Sequence, residues 1–165
     1  MTTAMAFDRL ATPLGPTLLV AAGDALCGLY FVGQKYERVP AADWQQRPDA
    51  PALRAAREQL AAYFAGGLQR FDLPLAPAGT AFQRSVWTAI AGVPWGATIA
   101  YRELAVRAGH PAGVRAVGAA VGRNPLSVVI PCHRIVGADG SLTGYAGGLD
   151  RKRALLALEA ATTRR

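Results

Sequence analysis

Cys132 and His133 stand side by side in "NPLSVVIPCHRIVG", residues 124–137, in a chain with two cysteines and two histidines. A thiol next to an imidazole is a nucleophile next to a base. A zinc site needs three or four ligands at suitable spacing, and these four residues are scattered at 27, 110, 132 and 133, which argues against zinc. A cysteine protease needs a histidine facing the thiol across a cleft and a third group to orient it. Adjacent residues suit that poorly, because strand neighbours point to opposite faces. The remaining chemistry is attack of a thiolate on a saturated carbon. The thioether it forms has no good leaving group, so hydrolysis cannot restore the thiol. Such a protein works once. Against all three stands the ordinary reading of a lone buried cysteine as a small hydrophobe.

The elements around the pair must decide whether they meet. "LSVVI" (126–130) reads as a buried strand by composition, interrupted by Pro131, which removes a ladder donor and keeps Ile130 extended. Cys132 and His133 are then expected where a strand ends, with a turn of the chain or a bridging water bringing the two groups together. Upstream, "TAFQRSVWTAIAGV" predicts a helix capped by Thr80, with Phe82, Val86 and Ile90 on its inner face. "YRELAVRAG" and "VRAVGAAVGRN" predict two short helices around "GHPAG", a helix-turn-helix candidate. The second of these holds Ala116, Gly118, Ala119, Ala120 and Gly122, although each glycine costs a helix about 1 kcal/mol. Close approach to another surface explains such residues, either a neighbouring helix or, with Arg115 at their head, DNA.

The first half predicts strands at "MAFDRLA", "TLLVAA" and "LCGLYF", separated by turns at 12–16 and 23–25. A helix over "PALRAAREQLAAYFAGG" starts at Pro51, stops at Gly66-Gly67, and turns Leu53, Ala56, Leu60 and Phe64 inward. "FDLPL" suggests an edge strand. The fold class is therefore α+β, with a sheet-plus-helix domain at 1–75, a linker at 76–80 and a mainly helical domain at 81–165.

Charge separates the halves. Residues 1–79 hold seven Lys/Arg and seven Asp/Glu; residues 80–165 hold eleven and four, so the whole net charge of +7 lies there. One-sided basic charge suits a phosphate-backbone binder, although Arg151, Lys152 and Arg153, with Arg164 and Arg165, also read as solvated ends. No apolar run approaches the roughly 18–20 residues of a membrane span. The N-terminus lacks the pattern of a secretory signal, and two cysteines in a chain of this size point to a reduced, cytoplasmic protein.

"PCHRIVG" after "NP", with "VRAVGAAVGRNP" before it and "LTGYAGG…RKRALLALE" after it, resembles the O6-alkylguanine-DNA alkyltransferase family over residues 80–160. The resemblance implies a ribonuclease H-like first domain and a single-use transfer of the alkyl group from guanine O6, and from thymine O4 as well, to Cys132. It implies His133 as base through a water, Glu159 orienting His133, and Asn124 fixing the turn near the thiol. Tyr101, Tyr145, Ala146 and Ile135 would form the base pocket. Arg115 would fill the space left by a flipped nucleotide, with Gly118 and Ala119 in the minor groove and Arg102, His110 and Gln83 on the backbone. The implied partner is double-stranded DNA carrying O6-alkylguanine, bound by a monomer with cooperativity left open. No cofactor is implied. Some relatives bind zinc in the first domain; here that domain has only Cys27 and no histidine, so none is expected. Some carry serine at Ala146, where a backbone N–H contact to O6 would let the chemistry survive, and some carry proline at Ser127, which bears on tolerance of bulky alkyl groups. No cysteine-rich sensor domain precedes the first strand, so a stand-alone repair form is expected. The rivals are a lesion-binding module without transfer chemistry, against which Cys132 itself argues, and a general helix-turn-helix regulator.

Overall fold

The computed structural model describes residues 4–163; Arg164 and Arg165 lie outside the described residues. The chain divides into two units between Pro77 and Ala78.

In the first unit β1 (Met5–Thr12), β2 (Gly15–Ala22) and β3 (Ala25–Phe31) form an antiparallel meander. Gly15 and Gly23 take positive φ at its two turns, a conformation that glycine adopts without steric cost. A short β4 (Gln45–Gln46) pairs parallel with β1, giving the order β3-β2-β1-β4. The pleat sends alternate residues to opposite faces. Leu18, Val20 and Tyr30 cluster with Met5, Phe7, Cys27 and Trp44 on one face. Leu19 and Ala21 face the other, where α1 (Pro51–Phe64) supplies Leu53, Ala56, Leu60 and Tyr63. Tyr63 takes the buried place expected of Phe64, which is only half-buried; spacings of three and four reach the same helix face. "FDLPL" contributes a single bridge rather than a strand. Leu26 N donates to Pro74 O and Ala76 N donates to Leu26 O, both at 2.9 Å.

The second unit holds α2 (Ala81–Ala91), α3 (Tyr101–Arg107), α4 (Val114–Gly122) and α5 (Leu149–Thr163), with a two-residue parallel pair, β5 (Ile99–Ala100) and β6 (Ile135–Val136). Helix α2 opens on a capping box: Gln83 N donates to Thr80 Oγ1 and Thr80 N donates to Gln83 Oε1, two orphan donors satisfied reciprocally. Its Val86, Trp87 and Ile90 are buried, as are Val117, Ala120 and Val121 of α4, and Trp87 Nε1 donates to Ala120 O at 2.9 Å. Helices α3 and α4 flank a turn at Gly109, φ +83°, and form the helix-turn-helix.

The expected strand at 126–130 is a buried turn. Ile130 N donates to Leu126 O at 2.9 Å and Val129 N to Ser127 O at 2.9 Å. Val128 sits at φ +73°, a conformation a β-branched side chain adopts only under constraint. Apolar composition marked the segment as buried correctly; apart from a bridge residue at Leu126, the segment turns back on itself instead of running as a strand.

Candidate active site

Asn124 supplies the constraint. Its Oδ1 accepts from Leu126 N at 2.9 Å, while its Nδ2 donates to Ile130 O at 2.8 Å and to Cys132 Sγ at 3.1 Å. One buried amide thus pins both ends of the turn and touches the thiol. After Pro131 the chain turns through a single 3-10 turn, Cys132–Arg134, so the opposite-face geometry of a strand does not apply. The β5–β6 pair then ties Ile135 to Ile99 and Val136 to Ala100, which brings Tyr101, the first residue of α3, toward the acceptor.

Cys132 is 4% exposed. Burial pushes its thiol up to about 11, opposed by the Asn124 hydrogen bond and the charge of Lys152. Left alone the thiol stays protonated at neutral pH, so attack requires a base. His133 is fully buried, and burial lowers its imidazole from the usual range while Glu159 pulls it up. His133 Nε2 lies 2.7 Å from Glu159 Oε2. Arg134 Nε donates to Glu159 Oε1 at 2.8 Å and Arg134 Nη2 to Oε2 at 3.0 Å, so the carboxylate occupies acceptor positions only. Nε2 is therefore assigned as the proton donor, which leaves the Nδ1 lone pair of a neutral ring free to accept. Nδ1 is buried without a hydrogen-bond partner among the described residues.

Arg134 and Lys152 are parts of this site that the sequence reading missed. Arg134 is 6% exposed and also donates to Val93 O at 2.7 Å. Lys152, read as one cation of a solvated "RKR", is 0% exposed. Its Nζ donates to Ile135 O at 2.6 Å, Thr143 O at 2.7 Å and Gly144 O at 3.3 Å. The helix phase of α5 held the signal: Lys152, Leu155 and Glu159 recur at three and four residues and share a face. Leu155 is buried, whereas Leu156 and Leu158 are half-buried.

The remaining predicted residues divide into two groups. Tyr101, Tyr145 and Ala146 are half-buried. Tyr101 Oη donates to Thr143 O at 3.5 Å, and burial holds its hydroxyl above the usual range, with Cys132 adding to the rise. Ile135 is fully buried, a support beneath the site. On the outer side, Arg102, Arg115 and Ala119 are exposed and Gly118 is half-buried. A Cβ on Gly118 meets only Tyr101 Cδ1, at 3.9 Å, and one on Gly122 meets nothing within 4 Å. Internal packing therefore does not require either glycine. The His110 ring packs tilted against Phe82, centroids 4.6 Å apart at 56°, and lies 3.3 Å from Ser85 Oγ; Gln83 is engaged in the α2 cap. Among the described residues no three His, Cys, Asp or Glu side chains group as metal ligands, and no helix is long and apolar enough to cross a membrane.

Residues 81–161 match the family model of the 6-O-methylguanine DNA methyltransferase DNA-binding domain, and residues 5–77 match that family's ribonuclease-like domain. The chain belongs to the 6-O-methylguanine DNA methyltransferase family. Within it, the chain is 49% identical over 156 residues to the methylated-DNA–protein-cysteine methyltransferase of Methanosarcina barkeri, covering 94% of this chain and 97% of that one. It is 47% identical over 153 residues to the protein of that name from Mycobacterium bovis, covering 93% and 91%. The structure superposes on Mycobacterium tuberculosis OGT in complex with DNA with a TM-score of 0.87 and 43% identity, covering 95% and 94%. The two-domain α+β architecture read from the sequence is that of this family.

Proposed function

We propose that this chain repairs O6-alkylguanine in double-stranded DNA by transferring the alkyl group irreversibly to Cys132. The observation that carries this reading is the buried chain from thiol to carboxylate: Asn124 on the sulfur, His133 with Nδ1 unpartnered, and Glu159 on Nε2 at 2.7 Å. The Cys132 proton passes to His133 Nδ1 through an intervening water, and Glu159 stabilises the imidazolium. The thiolate attacks the alkyl carbon in line; the S–C bond forms as the C–O6 bond breaks, and the electron pair leaves on guanine. The guanine anion takes up the proton. One alkyl group moves to sulfur and one proton to guanine, and no cofactor enters the balance. Arg134, with donors on both oxygens of Glu159, acts as a positioning residue.

The reacting carbon is unreachable inside a base stack, so the nucleotide must be extruded, at a cost of a few kcal/mol. Arg115, exposed at the head of α4, fills the gap. Tyr101 sits by the rotated phosphate, and Tyr145 and Ala146 line the base. The exposed small residues of α4 give a surface smooth enough for the minor groove. Thymine O4 lesions are a second substrate of the same pocket. The protein works as a cytoplasmic monomer and takes no metal.

The test is the intact mass after incubation with duplex DNA containing O6-methylguanine. The expected result is a gain of one methyl, about 14 Da, that is absent in Cys132→Ala. Tight lesion binding with unchanged mass would establish the binding-module reading instead.

A further inference from the structure

The alkyl-transfer steps above leave one buried cation without a task. Lys152 is fully buried, and among the described residues no carboxylate pairs with it; its three hydrogen bonds all go to backbone carbonyls. A buried ammonium held only by dipoles is expensive, and lysine is ordinarily kept from such places. Arg134, the other buried cation nearby, is already matched by Glu159 and the Val93 carbonyl.

The three carbonyls belong to two segments that have to be in register for the reaction. Ile135 follows the Cys132–Arg134 turn directly. Thr143 and Gly144 directly precede Tyr145 and Ala146, the proposed walls of the base pocket. The same loop is folded against the start of α5, with Arg151 Nη1 donating to Gly147 O at 3.0 Å and Gly148 N to Tyr145 O at 2.9 Å. We infer that Lys152 is a positioning residue of the transfer: its ammonium ties the pocket loop to the acceptor segment and sets a positive charge against the negative charge that develops on Cys132 Sγ.

Electrostatics agree in both directions. The Lys152 charge draws the thiol down against the rise from burial, and the Cys132 charge draws the ammonium up against its own burial. The other side chains that interact with the sulfur are Asn124, a neutral donor, and Tyr101 on α3, while the Arg134 cation of the 3-10 turn is neutralised by Glu159 of α5. Lys152 is the net positive group of that set. Held by three backbone carbonyls, it needs little reorganisation when charge appears on sulfur.

The inference rests on the alkyl-transfer reading and is tested apart from it. Carbamidomethylation of Cys132 by iodoacetamide, which needs no DNA, is followed from about pH 6 to about pH 10 for the wild type, Lys152→Met and Lys152→Gln. Over this range, all of it below the thiol's midpoint, loss of the cation is expected to slow the reaction roughly tenfold at every pH, the effect of raising that midpoint by about one pH unit. Profiles that overlap the wild type overturn the inference. With free O6-methylguanine base, the half-saturating concentration is expected to rise in both variants; an unchanged value overturns the role of the loop tie. Because both variants remove donors from buried carbonyls, the wild type is also followed by NMR of labelled lysine ammonium groups. The Lys152 signal is expected to shift with the Cys132 ionisation midpoint, and a signal indifferent to it overturns the inference. A wild type that gains no methyl from lesion DNA instead sinks the transfer reading itself.

Discussion

The two units bury polar groups for different ends. In the first, Thr17 Oγ1 donates to Leu10 O, Gln34 Oε1 accepts from Phe31 N, and Asp8 meets Arg57 at 2.6 Å with the Arg57 side chain still 34% exposed. Each of these completes a strand end, a loop or a helix–sheet contact. In the second, Asn124, His133, Arg134, Lys152 and Glu159 are all buried, and three of them are bonded to one another. Buried ion pairs seldom improve on apolar packing. The second unit concentrates them around one thiol, as the proposed chemistry requires, and the contrast says which half of the chain to disturb in order to test it.

The sharpest way to break that contrast is to remove Cys132. Cys132→Ala is expected to abolish alkyl transfer, with no alkylated protein in the intact mass, while lesion-containing duplex still binds in a gel-shift titration. Glu159→Gln follows. It is expected to slow transfer by roughly 10²–10⁴-fold, because the amide no longer stabilises the imidazolium; single-turnover kinetics measure it, and a parallel collapse of DNA affinity would make Glu159 structural. Matched truncations then compare the ion pairs directly. Arg134→Met strands a buried carboxylate and is expected to cost about 3–5 kcal/mol in denaturant unfolding, whereas Arg57→Met, at a half-exposed pair, is expected to cost at most about 1 kcal/mol. Equal losses would erase the distinction between the units. The smallest effect has opposite signs in two assays. Gly118→Ala adds a methyl where only an ordinary contact awaits, so the protein is expected to gain about 0.5–1 kcal/mol of stability while duplex affinity falls. The pH dependence sharpens the same site: burial lowers His133, so the ring stays neutral to lower pH than a free imidazole. The acid limb of the transfer rate is expected below the ordinary histidine range, and an acid limb above it would contradict a neutral base.

Much of this was legible in the residues. The three strands announced themselves by short β-prone runs between turn residues, α1 by its Pro51 start and helical stripe, and α2 by Thr80. The linked motifs around Cys132 carried the family. What stayed hidden had physical causes. A largely apolar run at 126–130, four of five residues, looks alike as strand or as buried turn, since composition reports burial and not hydrogen-bond direction. Only the reach of Asn124 to Ile130 and Cys132 separates them. Lys152 hid between two arginines, because a run of like charges signals a solvated face and the helix phase that turns its middle member inward appears only alongside Leu155 and Glu159. Arg134 stood in the open within "PCHR", and its partner lay twenty-five residues away.

Helix α5 delivers both Lys152 and Glu159, and it is synthesised after the segment that carries Cys132. A ribosome-bound chain that has emerged as far as Val136 already displays Cys132 but has neither carboxylate nor ammonium to act on it. The order of synthesis thus separates making the acceptor from arming it. For a protein that reacts once, the interval leaves a solvated thiol that ionises more readily than the buried one, held up at about 11, so burial on folding is what shields it from stray electrophiles.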